Sequence, residues 1–285
     1  MLRPGLKGSW VNYDGQMVDD ARVVTAIART ATSEGARILT YCEATEATGR
    51  SVRLRDTLGG REITLQARAV INATGVWAGR LDAGIKVRPA RGTHLVFRAE
   101  TLGNSTGALT VPLPGSISRY LFILPAPHGR CYLGLTDEDA PGAIPDVPPT
   151  PKEDVEFLLR NINQTLDKKL TRAHVMGTFT GLRPLLDNGG GGSTADLSRR
   201  HAIVCSEDGM FSVVGGKFTE YRLMPRRLST GSSWSGASPR ARAPPVTSRC
   251  SARRGTEATR TWPPGISTGC HVRWWPALVT RPPPC

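Results

Sequence analysis

The spacing of apolar positions changes several times along the chain, and each change marks an element. Val23, Val24, Ile27 and Ala31 recur at the 3.6-residue period of a helix face. Asp19 and Asp20 precede them, where acids suit the positive helix end, and Gly35 follows. This predicts an amphipathic helix over 21–31. Alternation then predicts strands at 37–40, 52–56 and 62–66, the last two joined by a hairpin at Gly59-Gly60. Residues 69–78 read as a buried strand running into small residues and a glycine. Residues 87–97 read as a loop entering a strand. Short apolar runs at 109–112, 120–125 and 131–137, separated by Pro and Gly, predict an antiparallel sheet. After a proline-rich loop at 141–151, Val155, Leu158, Leu159, Ile162 and Leu166 share one face and predict a helix over 152–170. Strands follow at 177–185 and 201–204, and Val213-Val214 end another.

Composition changes this picture at one end of the chain. The 285 residues carry a net charge of +13, but residues 225–285 contain ten Arg and a single acid, Glu257. Residues 1–224 are therefore close to balanced. The last segment also holds ten Pro, eight Ser and four of the six Trp, with no Lys, Phe, Tyr, Asn, Gln or Asp. Such a segment reads as a disordered tail. It is either a polyanion-binding arm or, the preferred reading, the out-of-frame translation of a GC-rich gene. No apolar run reaches the length of a membrane span, and the first residues lack the apolar core of a signal peptide. The six cysteines show no metal-ligand spacing, so metal binding is unsupported and a reducing cytoplasm is expected.

The chemistry-bearing residues sit at the ends of strands. Gly215-Gly216 follows Val213-Val214 and precedes the helix-compatible run 217–224, an order that aims backbone N–H groups and Lys217 at whatever lies above the turn. An ordinary strand–helix turn with a solvated lysine would look the same. The stretch 69–78 runs into small residues and a glycine at Ala73-Thr74-Gly75, which lets the chain pass close to a flat ligand; a core strand ending in an ordinary turn would look the same. His94 precedes an apolar run, where a lone histidine is more often structural than catalytic. Arg183 is followed by Pro184, which restricts it to extended geometry, and Arg199 precedes the strand at 201–204. Each arginine alone reads as a surface ion-pair residue. With Lys217 they supply three cations, which suits a phosphomonoester dianion.

Several of these stretches, in order, resemble FAD-dependent glycerol-3-phosphate dehydrogenases. Residues 213–222 resemble the family's G-G-K-x-T-x-Y-R signature, with Glu220 where a second threonine is usual. Residues 70–78 resemble V-N-A-T-G-x-W-A, and Tyr13-Asp14-Gly15-Gln16 with Asp19-Asp20-Ala21-Arg22 resembles Y-D-G-Q-x-x-D-D-A-R. Residues 91–97 resemble K-G-x-H-L/I-V-V, with Arg91 in place of lysine, and 134–137 and 181–184 resemble G-T-T-D and G-L-R-P. The resemblance covers about residues 5–224. It implies a mixed α/β fold in which an incomplete FAD-binding, Rossmann-like domain (1–84, with a return segment at 181–224) holds an inserted antiparallel β-rich substrate domain at 85–180. The tail at 225–285 stands apart.

By the same resemblance, Thr74, Gly75, Trp77, Gly215, Gly216, Lys217, Phe218 and Thr219 face FAD. Arg183, Arg199 and Lys217 bind glycerol 3-phosphate, and His94, Arg183 and Lys217 serve the chemistry. The implied reaction oxidises glycerol 3-phosphate to glycerone phosphate and passes electrons to a quinone, in a cytoplasmic protein associated peripherally with the inner face of the membrane. An oxygen-using glycerophosphate oxidase fits the same motifs, and a non-catalytic polyanion binder acting through the tail is the alternative of another class. The family's G-x-G-x-x-G fingerprint is not in this sequence. The chain is accordingly expected to hold FAD weakly and to be inactive by itself.

Overall fold

The computed structural model describes residues 5, 8–13, 15–116, 119–134, 136–187 and 200–230. Most of the basic tail, the glycine run at 189–192 and Arg199 therefore lie outside the described residues. Helix α1 (Asp20–Ser33) forms where periodicity places it, and the Asp19 carboxylate caps it by accepting the Arg22 N–H at 3.0 Å. No residue of α1 is buried, and Val24 is 54% exposed, so its apolar stripe is only partly covered.

Strands β1 (Cys42–Ala47), β2 (Ser51–Asp56) and β3 (Glu62–Gln66) make an antiparallel sheet in that order. The first strand starts later than expected: 37–40 is not strand, because pairing with β2 begins only at Cys42↔Asp56. Tyr41, at φ +56°, turns the chain just before that pair. At the β2–β3 turn the Asp56 carboxylate takes backbone N–H groups of Gly59 and Leu58, which hold it below its usual range.

A second sheet is small but sets two turns side by side. Strand β4 (Ile71–Asn72) is much shorter than the run at 69–78 suggested, because the chain leaves it into a 3-10 turn at Gly75–Trp77 and helix α2 (Ala78–Leu81). The third sheet is built around β5 (Val87–Arg98), which is strand over its whole length and not a loop at its start. Its other members are β6 (Leu109–Pro112), β7 (Tyr120–Ala126), β8 (Arg130–Gly134), β9 (Glu138–Asp139) and β10 (Gly177–Leu186). Their order is β10-β5-β8-β7-β6, with β9 pairing the first half of β5, and every recorded pairing is antiparallel. Strand β10 is continuous through 180–181, so the boundary expected there falls inside one strand. Strands β11 (Ala202–Cys205) and β12 (Phe211–Val214) complete the small sheet, ordered β11-β12-β4, with β12 parallel to β4.

Helix α3 (Lys152–Ile162) covers one face of the large sheet. Its Val155, Leu158 and Ile162 pack with Leu95, Phe97, Leu121, Ile123 and Leu133 in the main core. The helix stops at Ile162 although the apolar period runs on to Leu170. Asn163 explains this: its amide donates to the Leu170 carbonyl at 2.8 Å and its carbonyl accepts the Leu170 N–H at 2.7 Å. The side chain thus replaces helical hydrogen bonds by a closed loop that still buries Leu166 and Leu170. A second core joins Ala78, Ile85 and Val214 with Val87, Leu186 and Val204, where the ends of β5 and β10 meet the small sheet. Helix α4 (Leu223–Thr230) runs past residue 224, so the first residues of the segment read as a disordered tail are helical.

The main core depends on the α3 contact. Leu158→Ala, at a fully buried position, should cost about 2–5 kcal/mol in urea unfolding, against about 0.5 kcal/mol or less for Val24→Ala on the exposed side of α1.

Candidate functional site

Parallel strands deliver their carboxyl ends to one edge. Ser212 of β12 pairs with Asn72 of β4, so the turns that follow, Thr74-Gly75 and Gly215-Gly216, leave the sheet at the same edge. In open α/β sheets this is where ligands bind. Gly215 and Gly216 have φ of +75° and +81°, and a Cβ on Gly215 would lie 2.9 Å from the Arg200 carbonyl oxygen. Only glycine fits that turn.

Buried polar residues brace the first turn. Asn72 Oδ1 accepts both the backbone N–H and the hydroxyl of Thr74, at 3.3 and 2.7 Å. The Asn72 amide donates to the Ala78 carbonyl and to Ser212 Oγ, and Ser212 donates to Asp82 Oδ2 at 2.8 Å. Sequence reasoning missed Asn72, Ser212 and Asp82. The available signal was a small polar residue inside each of two apolar strands. Beyond the turn lies a cleft of about 370 Å³, walled by Thr74, Gly75, Val76 and Trp77 on one side. Thr180, Gly181, Leu182 and Pro184 of β10 and Pro145, Asp146 and Pro148 of the proline-rich loop form the rest. The Trp77 indole N–H is buried without a hydrogen-bond partner.

The second turn differs from expectation. Lys217 does not open a helix directly: a 3-10 turn at Phe218–Glu220 comes first, and α4 begins at Leu223. Nor is the Lys217 N–H free, because it donates to Glu220 Oε2 at 3.1 Å. That hydrogen bond is the main reason the Glu220 carboxyl is held below its ordinary value, with His201 and Arg227 adding to it. Arg227 faces His201 Nε2 at 3.2 Å and can only donate, so His201 carries its proton on Nδ1, toward Glu220 at 3.4 Å. Lys217 is exposed, and Gly215, Gly216, Lys217, Phe218 and Thr219 do not line the cleft.

The large sheet contributes a second group of residues. Phe179 pairs with His94 and Arg183 with Ala90, and alternation puts His94, Phe179 and Arg183 on one face, away from α3. The His94 ring stacks on Phe179 at 4.7 Å and 6°, and Tyr132 meets Phe179 edge-on at 5.2 Å. Opposite His94 stands Gly134, where a Cβ would lie 2.3 Å from the imidazole. Burial first, and the Arg183 charge second, push the His94 pKa down to about 4, so the imidazole is neutral at neutral pH. Its Nδ1 is buried and has no hydrogen-bond partner. Arg183 donates to Asp137 Oδ1 at 3.3 Å and to the Thr136 carbonyl at 3.2 Å. Arg91 faces the other way and grips Asp154 of α3 with two bonds, at 3.0 and 3.1 Å. Burial would raise the Asp154 carboxyl, but Arg91, Thr93 and Thr136 outweigh it.

Residues 1–219 match the family model of the FAD dependent oxidoreductases. The chain belongs to that family. Within it, the chain is 54% identical over 225 residues to glycerol-3-phosphate dehydrogenase 1 of Mycobacterium tuberculosis, an alignment covering 78% of this chain and 44% of the relative. The crystal structure of the glycerol-3-phosphate dehydrogenase from Bacillus halodurans complexed with FAD superposes with a TM-score of 0.63 at 28% identity, over 74% of this chain and 42% of that one. Glycine oxidase from Bacillus cereus shares the fold, with a TM-score of 0.50 at 18% identity over 71% of this chain and 52% of that one. The chain thus spans less than half the length of the dehydrogenases it matches. The cleft is lined by apolar Val76, Leu182 and prolines, by polar Thr74, Asp146 and Thr180, and by the backbone of Gly75 and Gly181.

A buried neutral histidine has a stability signature. Its folded pKa is depressed, so the unfolded chain binds the extra proton between about pH 6.5 and 4. Stability should fall through that window on acidification, by up to about 3 kcal/mol from this residue. Imidazole proton shifts should titrate with a midpoint near 4 in the native chain and higher in Arg183→Gln.

Proposed function

We propose that this chain carries the substrate-facing and flavin-facing residues for oxidising glycerol 3-phosphate to glycerone phosphate. The observation that carries the reading is the shared sheet face on which a held guanidinium, Arg183, lies near a neutral imidazole, His94. Oxidising the secondary alcohol removes a hydride from C2 and a proton from its hydroxyl. FAD, when bound, supplies the hydride acceptor. Thr74, Gly75 and Trp77 would hold its ring at the cleft, and Lys217 would add positive charge near it.

Arg183 binds the phosphate dianion, and Arg199, placed by sequence, is the second phosphate ligand. His94 orients the C2 hydroxyl and accepts its proton. A base whose pKa lies near 4 is weak in the free chain. A dianion on Arg183 offsets the single charge that depresses it, the smaller cause beside burial, so phosphate binding raises the proton affinity of His94 in part. Substrate and base are therefore coupled through one arginine.

A quinone takes the electrons in this reading, as the motif resemblance to quinone-linked glycerol-3-phosphate dehydrogenases implies. No helix among the described residues is long and apolar enough to cross a membrane; this reading takes contact with a membrane quinone to be peripheral. Calorimetric titration of the purified chain with glycerol 3-phosphate should show saturable binding that Arg183→Gln weakens at least about a hundredfold. Equal affinity in that variant would refute the site. Any turnover that appears on adding FAD and glycerol 3-phosphate should reduce a quinone without oxygen uptake, and oxygen uptake instead would favour the oxidase reading.

A further inference from the structure

We propose that Asp137 is a positioning residue that, with the Thr136 carbonyl, aims the Arg183 guanidinium and so selects glycerol 3-phosphate over a free phosphate anion. The inference rests on the reading of Arg183 as a phosphate ligand. An arginine side chain carries large rotational freedom, and a phosphate recognised by a freely rotating one is placed loosely. Here the two terminal nitrogens are tied separately, Nη1 to Asp137 Oδ1 at 3.3 Å and Nη2 to the Thr136 carbonyl at 3.2 Å. Two ties on different nitrogens fix the plane of the group as well as its location.

The holders are themselves fixed. The Asp137 side chain is 10% exposed. Thr136 is 1% exposed, and its hydroxyl accepts the Thr93 N–H at 2.9 Å. Thr93 Oγ1 in turn donates to Asp154 at 2.6 Å, behind the sheet. A line of buried hydrogen bonds therefore runs from the first turn of α3 to the guanidinium on the opposite face. Pro184 restrains the backbone directly after Arg183.

Electrostatics alone does not explain an acid at this position. A carboxylate beside an anion site weakens attraction for every anion, inorganic phosphate included. What it returns is direction, which matters only to a ligand that must present a second group, the C2 hydroxyl, to His94. Asp137 thus acts on selectivity more than on charge-driven affinity.

The test compares two ligands on the full-length chain: glycerol 3-phosphate and inorganic phosphate, each titrated calorimetrically. Native chain, Asp137→Asn, Asp137→Glu and Arg183→Gln are measured, with the ring-current shifts of the His94–Phe179 stack reporting that the sheet face is intact. The native chain should prefer glycerol 3-phosphate, and Arg183→Gln should lose both ligands. Both Asp137 variants should lower the ratio of the two affinities about tenfold or more, mainly by weakening glycerol 3-phosphate. Asp137→Glu keeps the charge and moves it by one methylene, so a drop there is geometric, and it carries the comparison if Asp137→Asn does not fold. An unchanged ratio in the Asp137 variants, with Arg183→Gln still losing both ligands, overturns the positioning role alone. Unaltered binding in Arg183→Gln, or no preference in the native chain, overturns the phosphate-ligand reading and the inference with it.

Discussion

The antiparallel ladder between β5 and β10 is the constraint on which the rest of the structure depends. Ten successive pairs, from Val87↔Leu186 to Val96↔Gly177, run from the small sheet into the large one. One end of the ladder packs into the core around Val214, and the other holds His94 against Phe179. Because side chains alternate along a strand, a one-residue slip of β5 would send His94 into the α3 core and turn Leu95 and Phe97 to the other face, and a slip of β10 would do the same to Arg183. The burial of Leu95 and Phe97 therefore sets the register that brings the polar pair together on the other face.

Packing behind the sheet and chemistry in front of it are connected through threonines. Arg91 and Asp154 form an ion pair that is costly to bury, and the carboxylate offsets that cost with bonds from Thr93 and Thr136. The same Thr136 turns its carbonyl to Arg183. The helix that closes the main core thereby also locates the guanidinium. The Thr74-Gly75 turn is built on a similar plan, with Asn72, Ser212 and Asp82 tying the end of β4 to β12 and α2.

Glu220 shows how one residue alters a shared motif. In the resembled signature a threonine stands there, with no carboxylate to take the Lys217 N–H. Here the carboxylate takes that N–H and meets His201 and Arg227 as well. The Gly-Gly-Lys turn is consequently closed by its own chain on one side. Its glycines are still required, since positive φ and the approach of Arg200 leave no room for a side chain.

Local sequence by itself determined the elements whose signals are short-range: the Asp19-capped helix, the Gly59-Gly60 hairpin, the Pro- and Gly-bounded strands and the paired glycines after β12. It also determined membership of the family, because the motifs carry it in order. Periodicity could not tell where α3 ends, since Leu166 and Leu170 stay buried while Asn163 diverts the backbone. It could not tell that 37–40 lacks a partner strand or that β4 pairs over only two residues, because pairing is a property of two segments. Likewise Arg91 and Arg183 look equivalent as basic residues beside strands. Tertiary structure separates them by face and partner: Arg91 pairs with Asp154 in the core, and Arg183 pairs with Asp137 on the face that carries His94. Which cation pairs into the core and which stands on the opposite face is decided by contacts between residues tens of positions apart, and no local pattern encodes them.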